Sequence, residues 1–390
     1  MVNPFSYFLK TKIQFGAGVS GLLMDALDHL GSGKIMLVTD KTLLELGILD
    51  KILSLLDKNG REYVVFDQVE PNPKVETVDG CRDMCRKENC EIFLAVGGGS
   101  VMDTAKGAAV LMTNPGSIHD YLMGRKEQGK EVKKDALPMI AVPTTSGTGA
   151  EVSDCIVVID TNQIKDLMIA DQLAPDYAFV DPELTYGLPS VSTAYTGLDV
   201  LGHALEAYTS TAGNGIAELM ALEAIKLVFS YLPACVQEAV DEEQKKEARS
   251  EMAYASLLAG IAQSKCGCTI PHALSCPLTV YEGIPHGLGV GITQIPAIRY
   301  NRECSAEQYA AILNYMGEKV ENSQAANTLI DKITRLFDEL SIPLKIRLKE
   351  YGAEQLRMLA RDAMEDDGVL MNPKKVTQED LIQMYREIIR

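Results

Sequence analysis

The chain has 390 residues, 46% of them hydrophobic and 23% charged, with a formal net charge of -17. That length supports one or two substantial cores, and the negative balance argues against nucleic acid as a partner. No continuous apolar run approaches the roughly 18 residues of a membrane span, so no membrane partner is expected.

The N-terminal stretch MVNPFSYFLKTKIQFG lacks the basic start and apolar core of a signal peptide. With nine cysteines and no such signal, a reduced, cytoplasmic protein is expected. From there the elements alternate. KIMLVT (34–39) is a run suited to a strand buried on both faces. KTLLELGILDKILSLLDKNG (41–60) has helical spacing and stops at Gly60. REYVVFD (61–67) is strand-like, VETVDGCRDMCRKEN (75–89) helix-like, and EIFLAVGGGS (91–100) a strand running into glycines. VMDTAKGAAVLM (101–112) is helical and LPMIAVPTT (137–145) another buried strand. CIVVID and KDLMIA, joined by the polar turn TNQ, predict a hairpin, and YAFVDPEL (177–184) closes this half. Repeated βα units imply a mainly parallel, Rossmann-like sheet covered by helices.

After about residue 188, long amphipathic segments take over at 215–232, 241–264, 306–318, 323–340 and 377–389. Thr377 and Asp380 stand in a cap-like arrangement at the start of the last one. The expected division is therefore an α/β domain over 1–187 and an all-α domain over 188–390.

Cys81, Cys85 and Cys90 lie at spacings of four and five on a helical pattern and read as half-buried thiols, not as a zinc site. Cys266 and Cys268 read as packing at a loop or helix end.

Two loops carry a different chemistry. In AVGGGSVMDTAKG, Gly97, Gly98 and Gly99 stand between a strand and a helix, followed by Ser100. Glycines permit close backbone approach, and a helix N-terminus offers free N–H groups to an anion. A tight turn with no ligand is the competing reading. In VPTTSGTGAEVS, the hydroxyls of Thr144, Thr145, Ser146 and Thr148 surround Gly147 and Gly149. Two such loops at neighbouring strand ends could grip both ends of a dinucleotide. Asp40 ends the first buried strand, where a carboxylate can accept from ribose hydroxyls or cap the next helix, and the two roles are compatible.

Only five histidines occur: His29, His119, His203, His272 and His286. The last three fall in the helical half, and Asp199 precedes His203 by four, on the same helical face. A buried Asp–His pair is costly unless compensated. One carboxylate and three imidazoles complete a first shell for a divalent ion such as iron or zinc.

GGGSVMDTAKG, PTTSGTGAEVS, GLDVLGHALEAY and PHALS…GIPHG together resemble the iron-containing (group III) alcohol dehydrogenase family, in order across nearly the whole chain. The resemblance implies an N-terminal α/β domain binding NAD, with NADP as the alternative, a helical C-terminal domain holding Fe2+ or Zn2+, and an active site in the cleft between them. By position it implies metal ligands at Asp199, His203, His272 and His286. The pyrophosphate would rest on Gly98, Gly99 and Ser100, with Thr144, Thr145 and Thr148 along the cofactor and Ser153 near the nicotinamide. Asp40 and Asn72 would meet the adenosine part, and Lys165 and Leu184 would line the cofactor. Asp103 and Lys106 are assigned to helix and loop support. Many members carry a further histidine four residues after the third ligand; Cys276 stands there and is read as lining the substrate pocket.

The implied reaction is hydride transfer between small primary alcohols or diols and their aldehydes, in a homo-oligomer. The alternative on the same scaffold is a non-redox, dehydroquinate synthase-like lyase that recycles NAD within one turnover.

Overall fold

The computed structural model describes residues 4–123, 129–162, 164–348 and 352–390. Gln163, in the expected TNQ turn, lies outside them. The chain forms two compact units, Phe8–Gly187 and Leu188–Arg390. The described residues up to Tyr7 belong with the second unit, not with the α/β unit as a 1–187 division would have it. There the Tyr7 hydroxyl donates to Met220 Sδ at 3.8 Å.

In chain order, the first unit comprises β1 (Lys12–Phe15), α1 (Leu23–Leu30), β2 (Ile35–Val38), α2 (Lys41–Glu45), α3 (Asp50–Lys58), β3 (Tyr63–Phe66), α4 (Val75–Glu88), β4 (Ile92–Gly97), α5 (Gly99–Thr113), β5 (Met139–Pro143), β6 (Cys155–Ile159), β7 (Lys165–Ile169) and β8 (Tyr177–Val180). Six strands form one sheet in the order β1-β8-β5-β4-β2-β3, and every neighbouring pair is parallel. β6 and β7 form the antiparallel hairpin expected from the sequence. Central strands are apolar throughout because both faces are covered. Met36, Val38, Phe93 and Ala95 point into one core, and Ile35, Leu37, Ile92 and Leu94 into the other. The single helix expected over 41–60 is two helices. Gly47 takes φ +68 between them, a left-handed conformation that ends a helix.

The order of the sheet positions the first candidate site. From β2 the chain adds β3 on one side, then crosses to β4 on the other. The carboxyl ends of β2 and β4 therefore flank the point where strand order reverses, where open α/β sheets bind ligands.

The second unit is helical: α6 (Ser190–Thr209), α7 (Gly215–Val236), α8 (Glu242–Cys266), α9 (Ile270–Glu282), α10 (His286–Asn301), α11 (Ala306–Tyr315), α12 (Asn322–Glu339), α13 (Ala353–Ala363), α14 (Gly368–Met371) and α15 (Gln378–Ile388). Thr377 and Asp380 form a reciprocal capping box at the start of α15. Among the described residues one helix, α7, is long and apolar enough to cross a membrane by length and composition, although no continuous apolar run suggested it. It carries Glu218, Glu223 and Lys226, and its buried residues, Ala217 to Cys235, join the core of this unit with those of α6 and α8.

Candidate active site

At the carboxyl end of β4, Gly98 is the N-cap of α5, and Gly99 and Ser100 are its first two residues. The hydroxyl loop after β5 comes directly against them. The Thr144 N–H donates to Gly97 O at 3.0 Å. A Cβ on Gly99 would stand 2.7 Å from Thr148 Cγ2, and one on Gly98 would stand 3.4 Å from Thr145 Oγ1. Only glycine leaves room at Gly99, whereas a Cβ on Gly98 would make an ordinary contact, and backbone N–H groups at the N-terminus of α5 are open to an anion beside a pair of threonine hydroxyls. Asn72, at φ +56, turns its N–H to Ser100 Oγ at 3.2 Å, which brings the PNP turn to the same place. Asp40 follows β2 on the other side of the switch point and accepts from the Leu43 N–H at 3.0 Å, capping α2 with one oxygen.

Beneath this loop lies a buried cation. Lys106, 1% exposed, donates to Ser153 O and Oγ, both at 2.9 Å, and to Cys155 O at 3.1 Å. The support expected of Lys106 is thus a clamp on the segment that bears Ser153. Asp103 accepts from the Val157 N–H at 3.2 Å, and burial pushes its carboxyl up to about 6. Burial also pushes Glu151, 3% exposed, up to about 7. Lys165 opens β7 and acts on Asp103 electrostatically. Leu184 packs into the core with Leu23, Leu27 and Phe179.

The helical unit holds the second cluster. α6 is buried nearly all round, and Asp199, His203 and Glu206 follow one another at i, i+4 and i+7 along one face. The two-helix hairpin α9–α10 folds back over three residues, 283–285, and so brings His272 to His286. His286 is the first residue of α10, with Pro285 as its N-cap. A Cβ on Gly287 would meet Tyr195 O at 2.0 Å, so glycine is what lets this end of α10 press against α6.

His272 Nε2 lies 3.6 Å and His286 Nε2 3.8 Å from Asp199 Oδ1. Ligand atoms set 2.0–2.2 Å from an ion stand about 3.3–3.6 Å apart around a tetrahedron. The His203 and His272 rings stack with centroids 4.6 Å apart, and His272 meets His286 edge-on at 5.3 Å. Asp199 Oδ1 and His272 Nε2 are both buried with no hydrogen-bond partner. Each such atom costs about 1–3 kcal/mol. Burial alone would raise the Asp199 carboxyl, but the imidazoles of His203, His286 and His272 outweigh it and hold the group far below the usual range. Two unpaired ligating atoms facing each other in an oxygen and nitrogen donor set fit a divalent metal ion. Among the described residues, Asp199, His272 and His286 bring their ligating atoms within 4.8 Å of one another, and so do His203, Cys268 and His272.

Glu206, absent from the ligand set that the motifs imply, joins the cluster from the last turn of α6's buried face. Its Oε1 accepts from Gln294 Nε2 and meets His272 Nδ1, both at 2.8 Å, while Oε2 accepts from the Thr269 and His272 N–H groups at 2.7 and 3.4 Å. One carboxylate thus caps α9 and fixes the His272 ring so that Nε2 faces Asp199. Its i+7 spacing from Asp199 was the available signal. Ser275 Oγ plays a similar part for His286, 3.3 Å from Nδ1. Cys276, read as lining the substrate pocket, interacts with the buried Asp366 carboxyl, which accepts from the Gly368 N–H at 2.9 Å. Cys81, Cys85 and Cys90, read as half-buried, are 0%, 0% and 3% exposed and belong to the sheet's core.

Residues 10–182 match the family described as iron-containing alcohol dehydrogenase, and residues 193–389 match its C-terminal domain. The chain is 33% identical to the 1,3-propanediol dehydrogenase of Citrobacter freundii, over 98% of each chain. It is 31% identical to the lactaldehyde reductase of Escherichia coli strain K12, over 95% of this chain and 96% of the relative. Among solved structures, a 1,3-propanediol oxidoreductase superposes with a TM-score of 0.91 at 32% identity, covering 99% of this chain and 100% of that one. The sulfoacetaldehyde reductase of Bifidobacterium kashiwanohense, solved with NAD+, does so with a TM-score of 0.89 at 33% identity, covering 99% of each. Sequence motifs, sheet order, ligand cluster and these likenesses agree: the chain belongs to the iron-containing alcohol dehydrogenase family.

Proposed function

We propose that this protein is an NAD-linked, iron-dependent alcohol dehydrogenase that interconverts small primary alcohols or diols and their aldehydes, with Asp199, His203, His272 and His286 as its metal ligands. The observation that carries the reading is the pair of buried, unpartnered atoms, Asp199 Oδ1 and His272 Nε2, set among imidazoles. When bound, iron would supply Lewis-acid polarisation of the substrate oxygen, and NAD(H) would carry the hydride.

The chain's own residues do the rest. Glu206 and Ser275 hold the second ring nitrogens of His272 and His286, fixing which nitrogen each offers. The first turn of α5, with Ser100 and the neighbouring threonines, receives the cofactor phosphates. Lys106 steadies Ser153 at the nicotinamide end. Lys165 and Leu184 line the cofactor, Asn72 sets the PNP turn against its adenosine part, and Cys276 shapes the pocket beside Asp366. Nine free cysteines suit a cytoplasmic enzyme, and the assembly is a homo-oligomer.

A screen of small aldehydes with Fe(II) and NADH tests the reaction through net loss of NADH absorbance. Steady net loss is expected; turnover of substrate with no net change in NADH would overturn the reading. Asp40, beside the ribose, should favour NAD(H) over NADP(H) about tenfold, or ~1.4 kcal/mol, since a 2′-phosphate meets like charge. Equal efficiency with NADP(H), or no narrowing in Asp40→Gly, would refute that assignment.

A further inference from the structure

We propose that Cys268 joins His203 and His272 in a second, softer donor set that takes zinc, overlapping the nitrogen and oxygen set through the shared imidazoles. The inference rests on the metal reading of His203 and His272. It goes beyond that reading in adding a sulfur ligand and in saying which ion the sulfur selects.

Cys268 lies in the short link between α8 and α9, and the backbone on both sides of it is fixed. Gly267, at φ +70, ends α8, and the Thr269 N–H is held by Glu206 at 2.7 Å. The thiol therefore hangs from a determined position, not from a free loop. Its sulfur and one ring nitrogen each of His203 and His272 lie within 4.8 Å of one another. His203 is 6% and His272 8% exposed, and the two rings stack at an interplanar angle of 22°. With Nδ1 engaged by Glu206, Nε2 is the nitrogen His272 has left for a metal, and that atom has no hydrogen-bond partner.

The two overlapping sets differ in chemistry. Asp199 with His272 and His286 offers a carboxylate oxygen and imidazoles, a hard-to-borderline set that suits Fe(II). His203, Cys268 and His272 offer two imidazoles and a thiolate, which suits zinc better than ferrous iron. Coordination converts the thiol to thiolate and releases one proton to solvent, with no change in oxidation state. The same pocket thus sorts two ions by donor type, and Cys268 sets the balance between them.

X-ray absorption at the metal edge of protein loaded with one equivalent of zinc tests this. One sulfur neighbour at about 2.3 Å is expected around zinc, absent in C268S and absent around iron in the unmodified protein. Zinc affinity should fall about tenfold or more in C268S, with iron retention changed less than about twofold. Should C268S fail to fold, zinc-dependent protection of Cys268 from alkylation in the unmodified protein identifies the sulfur. A zinc shell of nitrogen and oxygen alone, or a sulfur that persists in C268S, overturns the proposal while leaving the iron reading intact. Retention of neither metal overturns both.

Discussion

The cradle in the α/β unit is made of backbone, whereas the cluster in the helical unit is made of side chains. At Gly98 and Gly99 the useful groups are N–H donors, and the sequence requirement, felt at Gly99, is the absence of a Cβ. At Asp199, His272 and His286 the useful groups are ring nitrogens and carboxylate oxygens, held by further side chains such as Glu206 and Ser275. The two should fail in opposite ways. Adding atoms damages the first site, and removing atoms damages the second.

The largest effect is expected from His286→Ala. Loss of a ligand should strip metal on dialysis and lower kcat/KM by about 10³-fold, the several kcal/mol that a Lewis acid supplies, while NADH affinity stays unchanged. Metal analysis beside NADH titration checks this, and a variant that keeps its metal and its turnover removes His286 from the ligand set.

Glu206→Gln comes next. The amide can still accept at one atom but no longer holds His272 Nδ1–H and the α9 N-terminus together. Metal affinity should fall about 10–100-fold. Competition with a chelator measures it. An unchanged affinity would mean that Glu206 only caps the helix.

Gly99→Val reverses the logic, since its Cβ would begin 2.7 Å from Thr148 Cγ2. NADH binding should weaken about tenfold or more, near 1.4 kcal/mol, with metal content intact. Calorimetric titration of NADH decides it, and tight binding by the variant would show that the loop is a turn and not a cradle.

A last effect, on stability and not on either site's ligand, sharpens the comparison. The α/β unit hides charge too, beneath its loop. Burial raises Glu151 to about 7 from an ordinary 4.5, although Lys106 and a backbone hydrogen bond oppose it. The sign follows from proton binding. Below about pH 4.5 the group is protonated in both the folded and the unfolded chain and costs nothing. Between about pH 4.5 and 7 the unfolded chain gives up its proton while the folded group keeps it, so stability falls across that window and levels off above it. Glu151→Gln should remove this decline and gain up to about 3 kcal/mol at pH 8 relative to pH 5. Urea midpoints at the two pH values measure it, and parallel behaviour of the two proteins would contradict it.

Much of this was legible in the chain. Central strands such as IFLAV declare themselves because burial on both faces demands apolar residues at every position. β1 does not, since it is an edge strand with most of its residues exposed. α10 is rich in glycine and buried, so it has no amphipathic pattern to read. The spacing of Asp199 and His203 on one helix was enough to pair them, because local periodicity is a property of the chain itself. The companions from α9 and α10 were legible only as residue types of suitable chemistry.

What the sequence by itself determined is therefore the set of local patterns: strand runs, the two glycine and hydroxyl loops, and the rarity of histidine. Only the tertiary structure decided which groups meet. Glu206 has its ordinary place on α6, yet it becomes the common acceptor for α9, His272 and Gln294 because three helices converge on it. Cys268 looks like helix-end packing until the link from α8 to α9 sets it beside two imidazoles. Periodicity is written over a few neighbouring residues. Convergence depends on loop closures and close helix approaches, such as the one Gly287 permits, and these are fixed by packing across the whole unit.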